Sequence, residues 1–229
     1  MSPPAGTTRP VDETFLAKLT ESEREALHGI GLVRSFPRGA VLMFQGEPGE
    51  RVMFLLAGRV KVGRIDADGR EVLLSIRDPG DLLGELAVID GNPRVASVTA
   101  LEPVEALVTS ADVLRRHLEA TPRVAVVLLE VVVGRLRETT VKRSEFGASD
   151  TMGRLAARIL ELAERYGEPS EEGISLISPL SQEDLAAWIS ASRAGVAEAL
   201  RSLRELGWVR IEHKKLLVLD HEALRRRAA

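Results

Sequence analysis

The stretch from Leu32 to Val108 constrains the fold more than any other part of the sequence. Short runs rich in Val, Ile and Leu are broken by Gly and Pro at roughly the 8–12-residue spacing of an all-β sandwich or barrel. Corners fall at Phe36-Pro37-Arg38-Gly39, at Gln45-Gly46-Glu47-Pro48-Gly49 and at Leu56-Ala57-Gly58. Val60 and Val62 alternate with Arg59 and Lys61, the period-two pattern of a half-buried strand. Asp68-Gly69 is a hairpin turn signal. From Pro122 the period changes. Val126, Leu129, Val133, Leu136 and Thr140 recur at three-to-four spacing, and Pro122 suits a first helical turn. This predicts one helix of roughly 25 residues, ~37 Å long. Val124, Val127, Leu128, Val131 and Val132 widen its apolar stripe beyond what one neighbouring domain needs. Many of these residues are β-branched, so packing rather than propensity must hold the helix. The stripe reads as a dimer seam; the alternative is the core helix of a monomer.

Residues 1–11 are rich in Pro, Gly and Thr and read as a loose tail. Phe15, Leu16, Leu19 and Leu27 suggest short helices, with Thr20 capping the second ahead of Glu23. Ala111 to Leu118 reads as a short helix. Phe146-Gly147-Ala148-Ser149-Asp150 breaks the long helical pattern: Gly147 can end that helix, and Asp150 can cap a next one from Thr151 to about Tyr166. The chain thus divides into the tail, a β-rich domain over 12–121, a helix and hinge over 122–149, and a second domain over 150–229. Gly167 to Gly173 is expected to be an exposed loop, and Arg225-Arg226-Arg227 a solvated tail.

Hydrophobic residues make up 45% of the 229, enough for a core in each domain. Cysteine is absent, which excludes disulfides, thiolate zinc sites and cysteine-bound iron–sulfur clusters. It fits a reducing cytoplasm. No apolar run approaches the ~18 residues of a membrane span, and the first residues lack a signal-peptide layout, so no membrane partner is expected. His28, His117, His213 and His221 are scattered without metal-ligand spacing. No Gly-x-Ser-x-Gly or phosphate-loop lysine motif occurs, so no catalytic residue, metal or catalytic cofactor is assigned.

One stretch within the β-rich domain carries chemistry: Leu83-Gly84-Glu85-Leu86-Ala87-Val88-Ile89-Asp90-Gly91-Asn92-Pro93-Arg94-Val95-Ala96-Ser97. If Glu85 to Ile89 form one or two helical turns, their first amides have no intrahelical partner and can face a phosphate. Gly84 lets the backbone approach closely, and Arg94 can fork onto the phosphate from the other side. Glu85 repels a phosphate and is better suited to accept from a sugar hydroxyl. The alternative is a β-barrel corner with a surface arginine. The stretch resembles the phosphate-binding cassette of the Crp/Fnr regulators, the cyclic-AMP receptor protein family. Gly84, Glu85, Leu86, Arg94 and Ala96 match its pattern. Val95 departs, because the family places a phosphate-binding hydroxyl there. The resemblance also implies that Thr139 and Thr140, near the end of the long helix, contact adenine, one hydroxyl coming from each subunit.

From Leu180 to Leu200 the chain carries a helix-turn-helix pattern. Ser181 caps the first helix, with Asp184 completing a capping box; Leu185, Ala186 and Ile189 pack inward. Ser190-Ala191 makes the turn. Ser192 caps a second helix whose Val196, Leu200 and Leu203 face the core. Its other face carries Arg193, Ala194, Ala197, Glu198 and Arg201. The segments from Gly207 to Ile211 and from His213 to Val218 read as a β-hairpin wing. This region resembles the winged helix-turn-helix of the same family, whose second helix enters the major groove. Arg193 matches the family's guanine-reading arginine. Two departures bear on sequence preference: Ala194 stands where the family commonly has Glu, and Glu198 where it commonly has Arg. Ser181, Ser192, Arg204 and Lys214 are candidate phosphate contacts. Charge does not single out nucleic acid: the chain's net charge is −3, and from Asp150 onward there are 12 basic and 13 acidic side chains.

The resemblance implies an α+β chain: an N-terminal cyclic-nucleotide-binding jelly-roll β-barrel, a long dimerisation helix and a C-terminal winged helix-turn-helix. The function expected is a dimeric, cytoplasmic transcription regulator whose affinity for double-stranded DNA is set by a small ligand, foremost cyclic AMP. RNA polymerase is a further candidate partner. Two alternatives remain: a DNA-binding regulator that is not gated by cyclic AMP, and an enzyme that handles a phosphodiester.

Overall fold

The computed structural model describes residues 14–146, 150–177, 180–212 and 215–228, with backbone alone over 141–146. The chain forms two compact units, one ending at Glu138 and one beginning at Thr139. The tail over 1–11, the next two residues, Gly147 and Lys214 lie outside the described residues.

The N-terminal unit opens with a 3-10 turn, Leu16–Lys18, and helix α1, Glu21–His28. Thr20 caps α1 in a full capping box with Glu23. Eight strands follow: β1 Leu32–Phe36, β2 Val41–Met43, β3 Arg51–Ala57, β4 Val60–Ile65, β5 Glu71–Arg77, β6 Leu82–Leu83, β7 Ser97–Ala100 and β8 Val104–Ser110. They make two four-stranded antiparallel sheets, ordered β1-β8-β3-β6 and β2-β7-β4-β5. Met53, Leu55, Leu83 and Ala106 of the first sheet share one buried cluster with Leu42, Met43, Val60 and Val98 of the second. The sheets therefore face each other as a jelly roll. The corners fall where glycine permits a left-handed backbone, at Gly39 (φ 82°), Gly46 (φ 85°) and Gly58 (φ 77°). The β4–β5 turn is closed by Asp66, whose Oδ1 accepts from the amides of Asp68 and Arg70, both at 2.9 Å.

Helix α2, Glu85–Asp90, lies between β6 and β7; α3 spans Ala111–Ala120 and α4 spans Pro122–Phe146. A second cluster joins Phe15 and Leu27 to Val52, Phe54 and Leu107 and to Leu114, Val124, Leu128 and Val131. It roots α4 on the first sheet. The opposite face of α4 is bare: Val126 is 55% exposed, Leu129 62% and Leu136 65%. The wide stripe in the sequence is thus two stripes, and among the described residues only one is buried.

The C-terminal unit contains α5 Thr151–Tyr166, β9 Glu168–Ser170, β10 Gly173–Ile177, α6 Gln182–Trp188, α7 Arg193–Glu205, β11 Val209–Glu212, β12 Lys215–Val218 and α8 His221–Ala228. The hairpin wing, β11 and β12, belongs to a sheet ordered β11-β12-β10-β9. The expected loop after Gly167 is instead the β9–β10 hairpin. Its outer strand carries Pro169 and is wholly exposed, so it shows no apolar alternation. The expected arginine tail is helix α8. Ala223 and Leu224 bury its inner face, and Arg227 forms an ion pair with Asp150.

Candidate functional site: an anion cradle and a helix-turn-helix

Helix α2 begins at Gly84, which has a left-handed backbone (φ 80°) and offers no side chain to cap the helix. Its first-turn amides are left for another acceptor. A Cβ on Gly84 would lie 2.3 Å from Nη1 of Arg94. The glycine therefore admits the guanidinium against the helix start. Arg94 is only 6% exposed. Its Nη2 donates to the carbonyl of Arg51 at 2.6 Å, while Nη1 is buried with no hydrogen-bond acceptor. Burial, then the nearby charge of Arg51, pulls its pKa below the usual arginine value; Glu47 and Glu85 oppose the shift. A buried cation with an open donor, beside an uncapped helix start, favours an anion.

The loop bearing Arg94 is fixed by the Gly-Glu-Pro-Gly corner. The amide of Gly46 donates to the Arg94 carbonyl at 2.8 Å, and the Arg94 amide donates to the Glu47 carbonyl at 2.9 Å. Of the other cassette residues, Glu85 is buried, Leu86 is 41% exposed and Val95 is 55% exposed. Thr139 and Thr140 are exposed on α4.

In the C-terminal unit Ser181 caps α6 in a capping box with Asp184. The turn is made by Ser190, a non-glycine residue at φ 51°. Ser192 then caps α7, its hydroxyl accepting from the Gly195 amide at 3.0 Å. Val196, Ala199, Leu200 and Leu203 are buried. Arg193, Ala194, Ala197, Glu198 and Arg201 form an exposed stripe along the opposite face. Ser181 and Arg204 are exposed as well.

A model of the cyclic nucleotide-binding domain matches residues 33–121, and one of the Crp-like helix-turn-helix domain matches residues 153–227. A CRP-like cAMP-activated global transcriptional regulator of Mycobacterium tuberculosis is 36% identical over 224 residues, 98% of this chain and 96% of its own length. The chain belongs to the Crp/Fnr family of transcription regulators. Other relatives of this family include a global nitrogen regulator from a Nostoc species, 30% identical over 82% of this chain and 85% of its own. A CRP-family transcriptional regulator from Thermus thermophilus superposes with a TM-score of 0.71 at 25% identity, covering 85% of this chain and 96% of that one. The chain is accordingly a DNA-binding transcription regulator with a cyclic nucleotide-binding domain. Among the described residues no helix is long and apolar enough to cross a membrane, and no acidic or histidine cluster could hold a metal ion.

No local pattern marks Arg135, which reaches this Crp/Fnr cassette from outside. From α4 its Nη1 donates to Glu85 Oε1 at 2.6 Å, and its Nη2 donates to Asp81 Oδ1 at 3.1 Å and to the Leu82 carbonyl at 2.9 Å. Burial works against its charge, but Glu85 and Asp81 outweigh this and raise its pKa further. Half-buried Arg77 lies in the same field. Burial and the charge of Arg135 push its pKa down to about 10, against the pull of Asp81, Glu138 and Glu85. The Glu85 carboxylate is thus held by the long helix. Arg115 of α3 was also missed. Its Nε and Nη2 both donate to the carbonyl of Val88, at 3.0 and 2.7 Å, a cation at the C-terminal end of α2. Partners 50 and 27 residues apart leave no local pattern to read.

Proposed function

We propose that this regulator acts as a cytoplasmic homodimer whose affinity for double-stranded DNA is set by cyclic AMP bound at the cassette. The observation that carries this reading is Arg94, a buried guanidinium with one donor open beside the uncapped start of α2. The cyclic phosphate would accept from Arg94 and from the first-turn amides, and Glu85 would take a ribose hydroxyl with its remaining acceptor sites. Leu86 and Val95 would flank the ligand. The parts given to Thr139 and Thr140 rest on the family resemblance. The bare apolar face of α4, bearing Val126, Leu129 and Leu136, supports the homodimer. In DNA binding, Arg193, Ala194, Ala197, Glu198 and Arg201 would face base edges. Ser181, Ser192, Arg204 and Lys214 would meet phosphates. RNA polymerase is the downstream partner that a promoter-bound regulator would engage.

Cyclic AMP must bind the DNA-competent state more tightly than the other, or it shifts nothing. Calorimetric titration with cyclic AMP should give saturable heat for the wild type and none for Arg94→Ala. Equal heats from both would remove the cassette from the mechanism. The Leu129→Glu/Leu136→Glu double variant should sediment as a monomer where the wild type sediments as a dimer. Val95 favours a second reading, in which the trigger is another anion or none. It presents an exposed apolar side chain where the family has a hydroxyl. DNA affinity that does not respond to cyclic AMP would support that alternative.

A further inference from the structure

Charged residues on the exposed side of α7, Arg193, Glu198, Arg201 and Arg204 among them, make no side-chain hydrogen bond or ion pair among the described residues. Elsewhere in this unit several charges are paired. Arg210 holds Glu172 and Glu212, Arg225 holds Glu222, Arg227 holds Asp150, and Arg158 holds Glu161. Glu198 and Arg201 stand three residues apart on one helix, a spacing that often pairs, yet they stay apart. The hydroxyl of Ser202 donates to the backbone carbonyl of Glu198, at 3.2 Å, and leaves its carboxylate free.

We propose that Glu198 is a base-reading residue that selects cytosine, so that each half-site carries a C·G pair close to the guanine read by Arg193. This deepens the DNA-binding reading above and rests on it. A carboxylate accepts only, so in the major groove it can engage only the exocyclic amines of cytosine or adenine. The adenine amine lies between two acceptors, its own N7 and O4 of the paired thymine. The cytosine amine has such a neighbour on one side only, O6 of the paired guanine. A carboxylate beside an A·T pair therefore meets more repulsion, and cytosine is preferred. Arg193 and Glu198 are five residues apart, roughly 7.5 Å of helix rise, or about two base-pair steps of ~3.4 Å. Ala194 and Ala197 lie between them on the same face. Their methyl groups let the helix approach closely and suit contact with thymine methyls.

The test is selection of bound duplexes from a random pool at fixed salt and with cyclic AMP, using full-length wild type, Glu198→Gln and Glu198→Ala. Wild type should enrich one C·G column within two or three base pairs of a G column in each half-site. Glu198→Gln, which regains a donor, should shift that column alone towards adenine, and Glu198→Ala should flatten it alone. Replacing the cytosine should weaken wild-type binding roughly 5- to 150-fold and Glu198→Ala binding hardly at all. Identical columns from all three proteins would overturn the assignment of Glu198 while leaving DNA binding intact. Failure of the wild type to enrich any sequence would instead overturn the DNA-binding reading, and this inference with it.

Discussion

Replacing Gly84 by alanine does two things to the cradle, and a second glycine separates them. Gly84 and Gly91 flank α2 with nearly the same left-handed backbone, φ 80° and φ 73°. An alanine at either site bears the left-handed strain of about 1–2 kcal/mol. At Gly91 a Cβ would meet nothing within 4 Å, so the loss ends there. At Gly84 it would lie 2.3 Å from Arg94 Nη1 and 2.9 Å from Met43 Sδ. Arg94 must move, and it is packed in and tied to the Arg51 carbonyl. Losing that hydrogen bond from a charged donor adds about 1.5–3 kcal/mol. Gly84→Ala should therefore destabilise the N-terminal unit by about 2.5–5 kcal/mol and Gly91→Ala by about 1–2 kcal/mol. At about 4 °C per kcal/mol for a domain near this size, the melting temperature should fall by 10 °C or more in the first case and by 4–8 °C in the second. Calorimetric titration should show cyclic AMP binding lost in Gly84→Ala and retained in Gly91→Ala. Scanning calorimetry and titration on the two variants suffice. Equal melting temperatures and equal affinities would refute the claim that Gly84 exists to admit Arg94.

Three further outcomes are expected. Arg135→Leu removes the cation bound to the buried carboxylates of Glu85 and Asp81, whose side chains are 7% and 2% exposed. It should cost about 3–5 kcal/mol in urea unfolding, since removing one member of a buried ion cluster strands the others; a loss below about 1 kcal/mol would mean that solvent or rearrangement replaces Arg135. Arg227→Ala removes the partner of the Asp150 carboxylate whose other oxygen accepts from the Gly153 amide at 2.9 Å. Hydrogen exchange in the first turn of α5 should accelerate several-fold, and unchanged protection would show that Asp150 caps the helix unaided. His117, whose Nε2 is buried without a partner, is held below the ordinary imidazole pKa by burial, with Glu23 pulling the other way. The unfolded state then binds more protons, so stability should fall as pH drops below about 6.5. His117→Gln should weaken that dependence between about pH 7 and 5, as chemical unfolding at several pH values would reveal.

The arrangement places ligand chemistry and helix placement in one cluster. Glu85, the carboxylate proposed to bind the ligand, is also an anchor for Arg135 on α4. A ligand hydroxyl bound there would share that carboxylate with Arg135. On the proposed reading, occupancy of the cradle would be electrostatically linked to the setting of the long helix within the N-terminal unit.

Local chemistry in the sequence determined most of the elements. The glycine and proline corners, the Asp68-Gly69 turn, the capping boxes at Thr20 and Ser181, and the caps at Asp150 and Ser192 all act within four residues, so spacing alone reveals them. The exposed stripe of α7 was legible from its helical spacing. Other features were not. The β9 strand is exposed on both faces and has no alternating pattern. Helix α8 hides two buried apolar residues beside a run of arginines. The grip of Arg135 on Glu85 and Asp81 spans 50 and 54 residues. Only tertiary structure decides which distant charge neutralises a buried one, because desolvation and Coulomb attraction depend on proximity in space and leave no period along the chain.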